Sequence, residues 1–340
     1  MTMPELRQSA LRPELRLALA EITAGSVRFD EPLDALTRWR IGGPAAAYVV
    51  AHTSGEVAAV LSLMRDRTEP LIIIGETSNL LFDSAGFSGV VLRLGGEMRD
   101  FTISGTTITA GAATSVPDLA SAAGAAGLTG VEHVVGIPGT LGGLIAMNGG
   151  TQRRGIGENV TTVSIVDSAG RERTIEGRDA GFAYRRSIFQ DDDSVIVGAT
   201  LQLERGDREL IENEMASIRA ERARKFPSDE PNCGSTFLSD PKMYAVVGPP
   251  GRAIEEAGLK GLRHGGAVVS TQHANFINNI GGATSDDVLW LIETVRTTVE
   301  RKTGFDMPCE VRHVGVDGRV RPAHISAAER WAEDKREESN

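Results

Sequence analysis

The stretch "GIPGTLGGLIAMNGG", residues 136–150, sets glycine at positions 136, 139, 142, 143, 149 and 150, with Pro138 and Asn148 among them. An ordinary buried element would carry branched apolar side chains here. Residues without a Cβ permit positive φ and let successive backbone N–H groups turn inward toward an anion. That is the composition of a pyrophosphate cradle, and also of a glycine-rich turn between strands. A second loop, "GETSNLLF" at 75–82, follows the apolar run "LIII" directly and adds Thr77, Ser78 and Asn79, whose side chains can donate to phosphate oxygens. Two such loops in one chain favour a nucleotide cofactor. Neither matches the GxGxxG fingerprint of a Rossmann unit or the GxxxxGK[ST] of a P-loop, so the phosphate site belongs to another fold.

Outward from these loops the chain alternates helices and strands. "EVAAVLSLMRD" at 56–66 carries Val57, Val60, Leu61 and Met64 at helical spacing ahead of the buried strand "PLIIIG". "GVVLRL", "FTISGTTITAGA" and "TTVSIVDSAGRERTIEG" cluster β-branched residues around glycine, which is strand and hairpin chemistry. "SVPDLASAAGAAGLTG" opens with Ser115 as an N-cap and Pro117 in the first turn of a short helix. "SVIVGATLQLERGD" reads as a further strand. Ile211, Met215 and Ile218 form one stripe of a helix over "RELIENEMASIRAERARKF", and a domain boundary is placed at 207. A turn-rich stretch at 226–241 and an α/β segment to about 282 follow. Val288, Leu291, Ile292, Val295 and Val299 then mark a core-facing helix, ahead of the strand "PCEVRHVGVDGRV". The closing "HISAAERWAEDKREESN" reads as a charged tail, a frayed or surface helix.

At 340 residues the chain exceeds what one core usually organises, so two or three subdomains are expected. With 41% hydrophobic and 24% charged residues it has a globular composition, and no apolar run reaches the roughly 18 residues of a membrane span. The N-terminal segment lacks a signal-peptide core, which implies a cytoplasmic protein. A net charge of −10 without a basic run argues against nucleic acid. The two cysteines, Cys233 and Cys309, lack partners at metal-ligand spacing, so no metal site is expected and free thiols are the default.

Seven motifs in order carry a resemblance. They are "WRIGGPA" (39–45), "GETSNLLFDSAGFSGVVLRL" (75–94), "GLTGVEHVVGIPGTLGGLIAMNGG" (127–150), "FAYRRSIF" (182–189), "CGSTF" (233–237), "GLKGLRHGGAVVSTQHANFINN" (258–279) and "CEVRHVG" (309–315). Over roughly residues 30–316 the chain resembles the UDP-N-acetylenolpyruvoylglucosamine reductases (UDP-N-acetylmuramate dehydrogenases), and within them the shorter branch without an inserted substrate loop. The resemblance implies an α/β FAD-binding fold of the vanillyl-alcohol-oxidase type. Its FAD-binding subdomains would be 1–100 and 101–206, with a substrate domain at 207–320 and the charged tail at 321–340. It implies non-covalent FAD, with NADPH as co-substrate, and a UDP-sugar whose enolpyruvyl ether is reduced to the lactyl ether of muramic acid for peptidoglycan. A monomer without a membrane partner is expected.

Cofactor contacts would come from Gly75, Glu76, Thr77, Ser78 and Asn79 on one side, and from Gly136, Ile137, Gly139, Thr140, Gly142 and Gly143 on the other. No histidine or cysteine lies inside either loop, in keeping with a flavin held without a covalent bond, and nearby His133 reads as packing or a hydrogen bond. Reducing a carbon–carbon double bond beside a carboxylate needs a cation for the developing charge and an acid for the second carbon. By resemblance Arg185 holds the carboxylate, Ser235 donates the proton, and Glu310, on a predicted strand, acts with the arginine on the enolic intermediate. Two departures stand out. Where relatives read GGGSN this chain has "GETSN", so the Glu76 carboxylate must point away from a diphosphate or weaken its binding. Where many carry Phe-Lys-Asn-Pro after the serine, "FLSDP" is one residue longer and lacks the lysine. A flavin oxidoreductase of the same fold with another substrate, and a nucleotide-binding protein without turnover, are the competing readings, the second opposed by the joint presence of Arg185, Ser235 and Glu310.

Overall fold

A computed structural model describes residues 11–151, 154–227 and 229–331. β-Branched runs flanked by glycine make the strands of its first sheet, ordered Val27–Pro32, Pro44–Ala51, Phe87–Leu94 and Leu71–Ile74. The first pair is antiparallel and the other two are parallel. The helix Ser54–Met64 supplies the crossover and buries Val57, Val60, Leu61 and Met64, as its spacing predicts. Thr53 caps it by accepting from the Glu56 N–H at 3.1 Å, a contact worth about 1 kcal/mol.

A second, fully antiparallel sheet runs Glu172–Glu176, Val160–Val166, Val195–Gln202, Thr107–Gly111 and Phe101–Ser104. Both expected hairpins are in it. The helix Val116–Ala125 packs beside it with Pro117 in its first turn. Ser115 stands at the N-cap position, but its hydroxyl makes no capping bond. One continuous core joins the two sheets, and it also takes Ile211, Met215 and Ile218 of the helix Arg208–Lys225. The boundary expected at 207 is therefore corrected: this helix packs against Val116–Ala125, with Arg219 donating to the Ser121 hydroxyl at 2.7 Å, and the change of core comes after Lys225.

The C-terminal unit has its own core around the helix Ser285–Thr303, which buries Val288, Leu289, Leu291, Ile292, Val295 and Val299. Each such side chain stabilises by about 1.5–3 kcal/mol. A capping box between Thr284 and Asp287 starts this helix and Gly304, at φ 76°, ends it. Two features tie the unit to the glycine loops. Leu80–Phe82, just after the 75–79 loop, pairs in parallel with Arg312–Val314, and Trp39 Nε1 donates to the Ile277 carbonyl at 2.8 Å. Two expectations fail here. Glu310 lies on a bend just before the strand Arg312–Val314, because its N–H belongs to an isolated antiparallel bridge with the 236–238 segment that does not extend into a strand. Nor is 321–331 a frayed tail: Val320–Pro322 pairs with Arg312–Val314, and the helix Ala323–Trp331 buries Ala323, Ser326 and Ala327. The rest of the expected tail, 332–340, lies outside the described residues.

Candidate active site

The two glycine loops abut. A Cβ on Gly75 would fall 2.5 Å from Thr140 Oγ1, and one on Gly139 would fall 3.6 Å from Ser78 Oγ. Thr140 also caps the short helix Leu141–Ala146. Among the described residues, the N–H groups of Glu76, Thr77, Ser78, Asn79, Gly136, Gly139 and Thr140 have no protein acceptor. Unpaired donors from two facing loops suit a diphosphate. The bare backbone is not all for a ligand, however. The Gly142 N–H donates to the Ala112 carbonyl at 2.8 Å, and a Cβ there would meet the Ala112 side chain at 2.9 Å. The Ile137 N–H is bonded to Val134, and the Gly143 N–H points at Thr140 Oγ1 at 3.4 Å.

The substituted loop is explained by its own contacts. Glu76 pairs with Arg93, which gives its carboxylate a cationic partner within the protein. Thr77 takes φ 52°, where glycine is the usual choice, and its buried hydroxyl accepts from the Arg38 N–H at 2.9 Å. Its oxygen is thereby turned toward the 37–40 turn, against the expectation that it would face phosphate. Because the Glu76 pair is partly exposed it contributes at most about 1 kcal/mol. Glu76→Gln should leave FAD affinity within about twofold, measured by fluorescence titration of the apoprotein, given so weak a surface pair. Marked tightening would place the carboxylate against the diphosphate instead.

Arg185, Ser235 and Glu310 are brought together from three segments. Ala183 and Arg186 exchange both backbone bonds at 3.0 Å, leaving Tyr184 and Arg185 at the tip of a tight turn. Arg185 sits at φ 54°, a conformation that costs an L-residue roughly 1–2 kcal/mol and here is held by its surroundings. Gln190 Nε2 donates to the Arg185 carbonyl at 2.9 Å and Asn148 Nδ2 to the Ala183 carbonyl at 2.8 Å. From this turn Arg185 reaches Glu310 Oε1 at 3.1 Å with Nε and donates to the Gly150 carbonyl at 3.1 Å with Nη2. Burial pushes the Glu310 carboxyl above the usual range, and Arg185 opposes that shift.

Ser235 is placed by its neighbours. Asn232 Oδ1 accepts from the Gly234 N–H at 3.0 Å, and Gly234 turns the chain at φ 76°. Asn275 then grips Phe237 with both ends of its amide, accepting from its N–H at 2.9 Å and donating to its carbonyl at 3.0 Å. The segment pairs antiparallel with 308–310: Leu238 N–H donates to Pro308 at 2.8 Å, and Glu310 N–H to Thr236 at 2.9 Å. The Ser235 hydroxyl itself has no partner among the described residues.

Two further arginines face this place. The Arg222 side chain lies so close to Gly136 that a Cβ there would fall 2.2 Å from its Cδ, and its guanidinium stands 4.9 Å from the Phe226 ring. Burial, then Arg38 and Arg185, push Arg222 below its ordinary range. Neither Arg38 nor Arg222 has a carboxylate partner among the described residues, so the cleft carries more positive than negative charge and suits anionic groups. Arg222 is one charge among many on its helix and carries no local signal, whereas Asn275 lies inside the 258–279 motif.

Cys233 and Cys309 share one core, and burial pushes both thiols up, which makes them packing residues. His133 is buried with neither ring nitrogen bonded and is held below its ordinary range by burial, so it too is packing. No cluster of metal ligands, and no helix long and apolar enough to cross a membrane, occurs among the described residues.

Residues 45–176 match the model of an FAD binding domain, and residues 226–314 match that of the UDP-N-acetylenolpyruvoylglucosamine reductase C-terminal domain. UDP-N-acetylenolpyruvoylglucosamine reductase 1 of Corynebacterium glutamicum is 50% identical over 88% of this chain and 89% of its own length. The reductase of Heliobacterium modesticaldum is 39% identical over 85% and 90%. The crystal structure of the reductase from Thermus caldophilus superposes with a TM-score of 0.70 at 30% identity, covering 84% of this chain and 97% of that one. The architecture is thus the FAD-binding fold expected from the motifs, and the chain belongs to the UDP-N-acetylenolpyruvoylglucosamine reductase family.

Proposed function

We propose that this protein reduces UDP-N-acetylglucosamine enolpyruvate to UDP-N-acetylmuramate with NADPH, through bound FAD, in peptidoglycan precursor synthesis. The observation that carries this reading is the Arg185–Glu310 pair, 3.1 Å apart, with the Glu310 N–H bonded to Thr236 next to Ser235, in a chain that also carries two abutting loops of unpaired N–H groups. Residues 75–79 and 136–143 would hold FAD without a covalent bond, through the free N–H groups of both loops. When bound, FAD supplies the hydride carrier between NADPH and the enolpyruvyl double bond.

The residues of the chain supply the rest. The planar fork of Arg185 grips the substrate carboxylate and stabilises the charge that develops on it. Ser235 hands a proton to the carbon that does not receive hydride. Glu310, whose carboxyl burial pushes above its usual range while Arg185 opposes that shift, acts with Arg185 on the enolic intermediate. We assign 1–100 and 101–206 as the two FAD-binding subdomains around a shared core that the helix Arg208–Lys225 also enters, and the segment beyond that helix as the substrate domain. The acidic net charge argues against a nucleic-acid partner, and we assign the protein as a cytoplasmic monomer that acts on small molecules. The test mixes purified, FAD-loaded protein with NADPH and the enolpyruvyl sugar nucleotide and follows NADPH absorbance. Stoichiometric NADPH loss with formation of the lactyl ether is expected; loss that does not depend on the sugar nucleotide would sink this reading.

A further inference from the structure

Glu310 is also held from a side that the glycine loops do not reach. The backbone on either side of it is bonded to the first turn of the helix Ala323–Trp331. The Cys309 N–H donates to Nδ1 of His324 at 3.0 Å, and the Ala323 N–H donates to the Val311 carbonyl at 2.8 Å. With the Glu310 N–H bonded to Thr236, three consecutive residues have their backbone directions fixed. An amide N–H can only donate, so Nδ1 must carry a lone pair and the ring must be neutral with its proton on Nε2. Burial first, then the Arg296 guanidinium, hold His324 below its ordinary range, with Asp306 and Glu293 opposing. The neutral ring is therefore the working form. The helix that carries it is fixed in turn by buried Ala323, Ser326 and Ala327, and by Arg330, which reaches Asp83 at 3.4 Å and pairs with Asp286.

We infer that His324 is a positioning residue of the active site, which sets, through the Cys309 backbone, the direction in which the Glu310 carboxylate meets Arg185. Glu310 sits on a bend and has Arg185 as its one charged partner among the described residues, so its aim depends on the backbone around it. This inference rests on the proposed role of Glu310. It gives the helix a part in the chemistry, although none of its residues touches the reacting atoms.

The test compares His324→Ala, His324→Asn and Glu310→Gln in the FAD-loaded protein. Asn offers an amide oxygen close to the place of Nδ1, whereas Ala offers nothing. In His324→Ala, flavin reoxidation by the enolpyruvyl sugar nucleotide should slow on the order of 10- to 100-fold, the scale of a small misplacement of a reacting group. Flavin reduction by NADPH and FAD content should stay normal, and His324→Asn should recover most of the lost rate. Independently of turnover, imidazole ¹⁵N spectra of the wild-type protein at neutral pH should show His324 with its proton on Nε2. Normal reoxidation in His324→Ala, equal slowing of both half-reactions, no recovery in His324→Asn, or a proton on Nδ1 would each overturn the inference. Normal reoxidation in Glu310→Gln would remove the role of Glu310 itself. Slow Glu310→Gln beside normal His324→Ala would remove only the part assigned to the histidine.

Discussion

Arg185→Lys is expected to lower kcat/KM for the enolpyruvyl substrate by about 10²- to 10³-fold, the loss typical of removing one donor from a developing oxyanion. Formal charge is unchanged by this substitution. What is lost is geometry: the guanidinium stands 3.1 Å from Glu310 with Nε while donating to the Gly150 carbonyl with Nη2, and a point charge on a flexible stem cannot reproduce that planar fork. The fold should survive, because the turn at 183–186 is held by backbone bonds and by Gln190 and Asn148, none of which uses the arginine side chain. Steady-state kinetics with both substrates varied, beside the thermal midpoint, separate these effects. Turnover close to the wild-type value would mean that Arg185 does not hold the carboxylate.

The strength of that expectation differs from what the sequence could support, and the difference has a physical origin. Local signals were legible. The apolar run "LIII" and the stripe from Val288 to Val299 announce their elements through interactions within a few residues, and the structure repeats them. The glycine loops were legible as places but not as contacts, since whether an N–H at 137 or 142 is free depends on Val134 and Ala112, which no spacing rule connects to them. The same holds for the helix Arg208–Lys225. Its stripe of Ile211, Met215 and Ile218 declares a buried face, but that face fits either core, and only packing assigns it to the second sheet.

The helix at the C-terminal segment was among the expected forms, but its core-facing side was not legible, for a related reason. Its charged residues dominate the composition, while the face that enters the core is made of Ala323, Ser326 and Ala327, residues too small to register as hydrophobic. Small residues at spacings of three and four let the helix approach closely, and close approach is what brings His324 to the Cys309 N–H. Pairing of Leu80–Phe82 with Arg312–Val314 lies beyond any local signal, yet it delivers Glu310 to the end of the 75–79 loop, where Arg312 N–H donates to Asn79 at 2.9 Å.

Ser235→Ala should separate the two halves of the catalytic cycle. The serine is assigned only to protonate carbon after hydride has been delivered, so reduction of the flavin by NADPH should proceed at close to the normal rate. Reoxidation by the enolpyruvyl substrate should slow by about 10²- to 10⁴-fold, the range for loss of a positioned general acid. The substitution is clean on structural grounds. The Ser235 hydroxyl bonds to no described residue, and its backbone is fixed on one side by the Asn232–Gly234 turn and on the other by the grip of Asn275 on Phe237. An alanine there removes an oxygen and leaves the loop in place. Stopped-flow absorbance of the flavin, recorded anaerobically for each half-reaction, gives the two rates. Equal slowing of both would assign Ser235 to the cofactor site. Slowing of neither would make it a turn residue and pass the proton to Glu310, whose raised pKa and 3.1 Å contact with Arg185 make it the next group able to hold one at that place.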